Sequence, residues 1–134
     1  MMQPEDIRKA LVKDRLDRAE EDFGVARELH GFNSPYLLAI GFHAQQAAEK
    51  YLKALLTFRQ REFPRTHDLG VLLETVRHSD PEIASQLSDV VELNPFAIEG
   101  RYPGDLNERV EQHDIQNALR IAETVKDLVR RVLG

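Results

Sequence analysis

Apolar residues recur along this chain at the spacing of an α-helix, and that spacing confines it to an all-α fold. Ile7, Leu11, Val12, Leu16, Ala19, Phe23, Ala26 and Leu29 follow one another at steps of one, three or four. On a helix that draws one apolar stripe. Lys9, Lys13, Asp14, Arg18, Glu20, Glu21 and Asp22 fall between them and read as a solvated face. The first helix is expected over 7–30, ended by Gly31-Phe32-Asn33. A second is expected from Ser34-Pro35 to about Phe58, with Ser34 as cap and Pro35 at the first helical position. Its apolar arc holds Ile40, Ala44, Ala48, Tyr51, Leu52 and Leu55, and its alanines at 44, 47 and 48 suit close approach of a neighbouring helix.

After a loop over 59–66 broken by Pro64, a short third helix is expected over 67–77, capped by Thr66, with Leu69, Leu72, Leu73 and Val76 inward. A fourth is expected to start where Ser79 and Glu82 have capping-box spacing, with Asp80-Pro81 as a competing start. Ile83, Leu87, Val90 and Val91 form its stripe, and it is expected to stop before Pro95. Residues 95–110 read as the longest irregular segment, the kind of place where function often sits. The last helix is expected over 112–132, with Ile115, Leu119, Ala122, Val125, Leu128, Val129 and Val132 inward. Four long helices plus a short third one predict an antiparallel up-and-down helical bundle, a single domain over 1–134.

The absent residue types narrow the chemistry. The 134-residue chain has no cysteine, which removes disulfides, thiolate metal sites and cysteine nucleophiles. Its five histidines, at 30, 43, 67, 78 and 113, are not paired at metal spacing, so neither metal nor cofactor is expected. No glycine-rich phosphate loop is present. A net charge of -5 argues against tight nonspecific DNA binding but leaves room for a local basic patch. No apolar run is long enough to span a bilayer and the opening residues do not read as a signal peptide, so a cytoplasmic protein without a membrane partner is expected.

The second helix carries the candidate site. At roughly 100° per residue, His43, Gln46, Lys50 and Lys53 fall within an arc of about 80°, a polar strip beside the apolar arc. Three readings stand: an ordinary solvated face, a groove that contacts an anion, or an interface between subunits. The following loop adds Arg59, Arg61 and Arg65, with His67 just beyond, and the irregular segment adds Arg101 and Tyr102. Arginine can hold a phosphate by two hydrogen bonds, and tyrosine can stack on a base. Arginines are also ordinary in loops. The three segments are expected to converge, with Arg101 near His43 and Gln46.

The run His43-Ala44-Gln45-Gln46-Ala47-Ala48-Glu49-Lys50-Tyr51-Leu52-Lys53-Ala54-Leu55-Leu56 resembles the signature of the HEPN domain family, the higher-eukaryote and prokaryote nucleotide-binding domain. Thr66-His67-Asp68-Leu69 with Leu72-Leu73, and Arg101-Tyr102-Pro103, resemble two further segments of the family, in the family's order. The resemblance implies a helical bundle, commonly a homodimer. It also implies a nucleotide or a minimal nucleotidyltransferase as partner, in modules that resemble toxin–antitoxin pairs. Some members are metal-independent ribonucleases that use an arginine followed, after four to six residues, by a histidine near the fourth helix. Arg61 and His67 match that spacing but lie ahead of the fourth helix, away from the motif's place, while Arg109 and His113 are too close and Arg101 and His113 too far apart. The resemblance therefore points first to a non-catalytic protein that binds through His43, Gln46, Lys50, Lys53, Arg65, His67, Arg101 and Tyr102. The alternatives are a ribonuclease using Arg61, His67 or Arg101, and a purely structural interaction module.

Overall fold

A computed structural model describes residues 2–97 and 110–134. Six helices and no strand occur among the described residues: α1 (Pro4–Gly31), α2 (Leu37–Phe58), α3 (Leu69–Ser79), α4 (Pro81–Gln86), a 3-10 helix (Ser88–Phe96) and α5 (Gln112–Leu133). The all-α class is as expected. The expected count of four long helices plus a short one is not. The long elements are α1, α2 and α5, and the expected fourth long helix is replaced by six residues of α-helix followed by nine of 3-10 helix.

The physical reason lies in the spacing of the buried residues. Leu87, Val90, Leu93 and Phe96 are all buried, three residues apart, and a 3-10 helix places every third side chain on one line. An α-helix would have turned Val91 inward; instead it is 43% exposed. Pro95 lies within the 3-10 helix rather than beyond the element's end.

Side-chain contacts give the direction of each helix. Arg8 at the start of α1 donates to the carbonyl of Phe58 at the end of α2 (2.5 Å), and Asp22 meets His43, so α1 and α2 run antiparallel. Glu20 meets Arg130, and Arg27 meets Glu123, so α5 is also antiparallel to α1. α3 begins beside the middle of α2, where Gln45 donates to the carbonyl of His67, and ends near its C-terminus, where Arg59 grips Asp80 through two hydrogen bonds (2.7 and 3.1 Å). The chain then returns through α4 and the 3-10 helix until the ring of Phe96 sits on Gly41. A Cβ at Gly41 would come within 2.3 Å of that ring, so glycine is what permits the seat.

Most of the expected caps have moved. Ser34 accepts from the Tyr36 amide, and α2 starts at Leu37 rather than Pro35. Asp68, not Thr66, caps α3 by accepting from the Gly70 amide, while Thr66 accepts from the Asp68 amide. Asn94 ties the 3-10 helix to this corner by accepting from the Leu69 amide and donating to Asp68. α4 starts with Pro81 at its first position, and the capping box lies on α5, between Glu111 and Asp114. The alanines 44, 47 and 48 are fully buried within the chain, so they serve intrachain packing and offer no face to a second copy. Among the described residues no helix is long and apolar enough to cross a membrane.

Candidate functional site: two carboxylate clamps along one helix

The polar strip of α2 is organised by two buried carboxylates. Asp22, on α1, accepts from His43 Nδ1 through one oxygen (2.9 Å) and from Lys50 Nζ through the other. Glu49, on α2 itself, accepts from His67 Nδ1 through Oε1 (2.8 Å) and from Lys53 Nζ through Oε2 (3.1 Å). Each clamp holds one imidazole and one ammonium. Sequence reading assigned Asp22 to a solvated face, yet it is buried. Its position was a signal: it lies three residues after Ala19 and four before Ala26, both fully buried, and so at the edge of the stripe.

Two glutamines extend the Glu49 clamp. Gln46 donates to Gln45 Oε1 (2.7 Å), and the fully buried Gln45 donates to Glu49 Oε1 (3.2 Å) and to the backbone carbonyl of His67 (3.3 Å). Buried amides of this kind are kept because their hydrogen bonds are made. The structure thus brings together His43, Gln46, Lys50, Lys53 and His67. Arg61 and Arg65 are exposed in the loop beside them. Arg101 and Tyr102 lie outside the described residues. The last described residue before them, Ala97, follows Phe96 on its Gly41 seat.

The histidines differ in exposure. The side chain of His67 is 64% exposed, against 26% for His43. In each the Nδ1–H donates to the carboxylate, and in the neutral tautomer with that bond Nε2 is the acceptor. At the Glu49 end that nitrogen belongs to a largely exposed ring.

Sequence reading missed a second set of groups. Phe63, in the loop after α2, lies 5.5 Å from the Arg15 guanidinium and 6.0 Å from Lys53 Nζ, measured to its ring centroid. Leu11, Asp14, Arg15, Arg18, Glu49, Lys50 and Lys53 line a depression of about 280 Å³ between α1 and α2. On the far side of α2, Tyr51 is buried beside Glu20, and burial followed by that carboxylate pushes its phenol above the ordinary value. Burial raises the Glu20 carboxyl, but Tyr51, Arg130 and Lys126 outweigh it and hold it below the ordinary range. This cluster joins α1, α2 and α5. Among the described residues no group of three or more histidines and carboxylates is placed to hold a metal ion.

The sequence profile of the HEPN domain matches residues 12–132. The chain belongs to the HEPN domain family. The match runs from α1 through α5 and takes in both clamps. No curated protein and no solved structure matches this HEPN chain. The family includes metal-independent ribonucleases and non-catalytic members, and membership is consistent with either role.

Proposed function

We propose that this HEPN domain binds the phosphate of a nucleotide or an RNA at the Glu49 end of α2. The observation that carries the reading is the Glu49 clamp, which sets an exposed imidazole and a lysine side by side on a buried carboxylate. Arg61 and Arg65 extend the charge along the loop, and neither pairs with a carboxylate among the described residues. The ammonium of Lys53 has two further N–H groups once it has bonded Glu49, so it can serve a ligand without leaving its clamp. His43 and Lys50 extend the face toward the start of α2, and Arg101 and Tyr102 remain part of the proposal. A homodimer and a minimal nucleotidyltransferase partner in a toxin–antitoxin-like module belong to the same reading through the family resemblance. The test is binding of labelled RNA and of ATP to the purified protein, with His67→Ala and Arg65→Ala compared. Loss of affinity of tenfold or more with an unchanged melting temperature supports the site. Unchanged affinity in both variants overturns it.

A metal-independent ribonuclease is the second reading, favoured by the orientation of His67. A histidine whose Nδ1–H is fixed by a buried carboxylate has its Nε2 lone pair ready to take a 2′-hydroxyl proton, and a nearby arginine can stabilise the developing phosphate charge. Arg61 is the arginine at family spacing. RNA cleavage in the presence of a chelator, lost in His67→Ala while the fold holds, supports this reading. Intact RNA after prolonged incubation leaves the binding reading alone.

A further inference from the structure

The depression between α1 and α2 contains an arginine whose donors are not used by any carboxylate among the described residues. Arg15 Nε is buried with no hydrogen-bond partner among them, and its guanidinium stands over Phe63. Nε is covered, so an occupant of the depression would meet the two terminal amino groups of the guanidinium, which donate side by side. Arg18, Lys50 and Lys53 line the same depression. Arg18 is paired with Asp14 (3.1 Å), Lys50 with Asp22, and Lys53 with Glu49. The two lysines keep free N–H groups, and Arg15 leaves the locus with positive charge in a chain whose net charge is negative.

The aromatic ring explains how loop and depression are joined. Phe63 is bracketed by Arg15 from α1 and Lys53 from α2, which places the loop carrying Arg61 and Arg65 across the rim. Cations over an aromatic face are attracted to it, more strongly where water is excluded. The cationic groups therefore continue from the depression into the loop, where Arg61, Arg65 and the exposed His67 follow. That is a track longer than one phosphate.

We infer that this depression is a phosphate subsite in which Arg15, Lys50 and Lys53 hold one phosphodiester of a single RNA strand, while the next phosphates lie along Arg61 and Arg65. The inference rests on the phosphate-binding reading above and narrows it from any phosphate ligand to a strand. Arg15 supplies the planar fork that fits a phosphate by two hydrogen bonds, and the lysines supply point charge.

The experiment titrates the full chain with a labelled 12-nucleotide single-stranded RNA and, separately, with ADP, over a series of salt concentrations. Arg15→Ala is expected to weaken RNA binding at least tenfold and to reduce the magnitude of the salt slope by about 0.7, the share of one phosphate contact on a single strand. Arg15→Lys, which keeps the charge without the fork, should lie between the two and guards against a variant that merely unfolds. Arg61→Ala with Arg65→Ala should weaken RNA binding by a larger factor than ADP binding, because a strand reaches more of the loop than two phosphates do. Arg131→Ala, in a separate depression beside Ser79–Ile83, should match the unaltered protein. RNA binding that His67→Ala weakens and Arg15→Ala does not would overturn the subsite and spare the broader reading. ADP bound as tightly as the RNA would overturn the strand. A protein that binds neither would overturn both.

Discussion

The Asp22 clamp and the Glu49 clamp hold the same three kinds of group, a carboxylate, an imidazole and an ammonium, but on different supports. At Asp22 all three stand on α1 and α2, two long helices that the core already fixes against each other. At Glu49 the carboxylate and ammonium share one helix, and the imidazole arrives from a loop. The first arrangement joins helices and leaves His43 mostly covered. The second presents His67 to water with its ring orientation set. Identical chemistry serves cohesion where both partners are fixed and presentation where one comes from a loop.

Asp22→Asn should give the largest effect on stability. It strands Lys50 next to a neutral amide at a covered site, and breaking a buried pair from one side costs about 3 kcal/mol. Urea denaturation measures it, and a loss below about 1 kcal/mol would break the contrast at its stronger end. Gly41→Ala comes next. The new methyl collides with the Phe96 ring, and overpacking of that kind costs about 2 kcal/mol, partly offset by alanine's better helix propensity. Adding Phe96→Leu should recover part of the loss, and a double-mutant cycle without coupling would argue against the close seat.

Glu49→Gln also leaves a covered ammonium, Lys53, beside a neutral amide, but the exposed His67 can turn into water, so the loss should be about 2 kcal/mol. It should nevertheless reduce RNA binding more than Asp22→Asn does, measured on the folded fraction. The reverse ranking would invert the comparison. The smallest effect is in acid. Burial raises the Asp80 carboxyl, but the hydrogen bonds from Arg59 and Ser79 outweigh it and hold it below the ordinary aspartate value. A group lowered on folding stabilises above its unfolded value, and that stability is lost as pH falls through the folded value. Asp80→Asn should therefore flatten the acid limb of the stability curve by roughly 1 kcal/mol or less, as for a surface pair, and should leave both clamps untouched.

The three long helices were legible because their stripes are long and regular. Ile115, Ala122, Val125 and Val129 are buried as their spacing requires. The fourth helix misled because Ile83, Leu87, Val90 and Val91 fit the α period, while the competing three-residue series from Leu87 to Phe96 fits the 3-10 period better. At the site, the strip on α2 could be read from periodicity alone. Its organisation could not. Asp22 is separated from His43 by a whole helical hairpin, and nothing local to either residue announces the pair. Glu49 was quoted within the family-like run, yet its role depends on where the loop brings His67. Arg15 escaped notice because its partner is a ring, Phe63, in a loop that stands out only for its arginines and proline.

The seat of Phe96 on Gly41 also has a meaning in time. A 3-10 helix closes its turns with poorer hydrogen-bond geometry than an α-helix, so the amides of 88–96 should exchange with solvent before those of α2. Each such opening lifts the aromatic plug and bares the first turns of α2 near His43, while the Glu49 end, anchored through Gln45 to the loop, stays closed. The two halves of one helix should then keep different clocks, the first set by a short neighbour that unlatches often and the second by the unfolding of the whole chain.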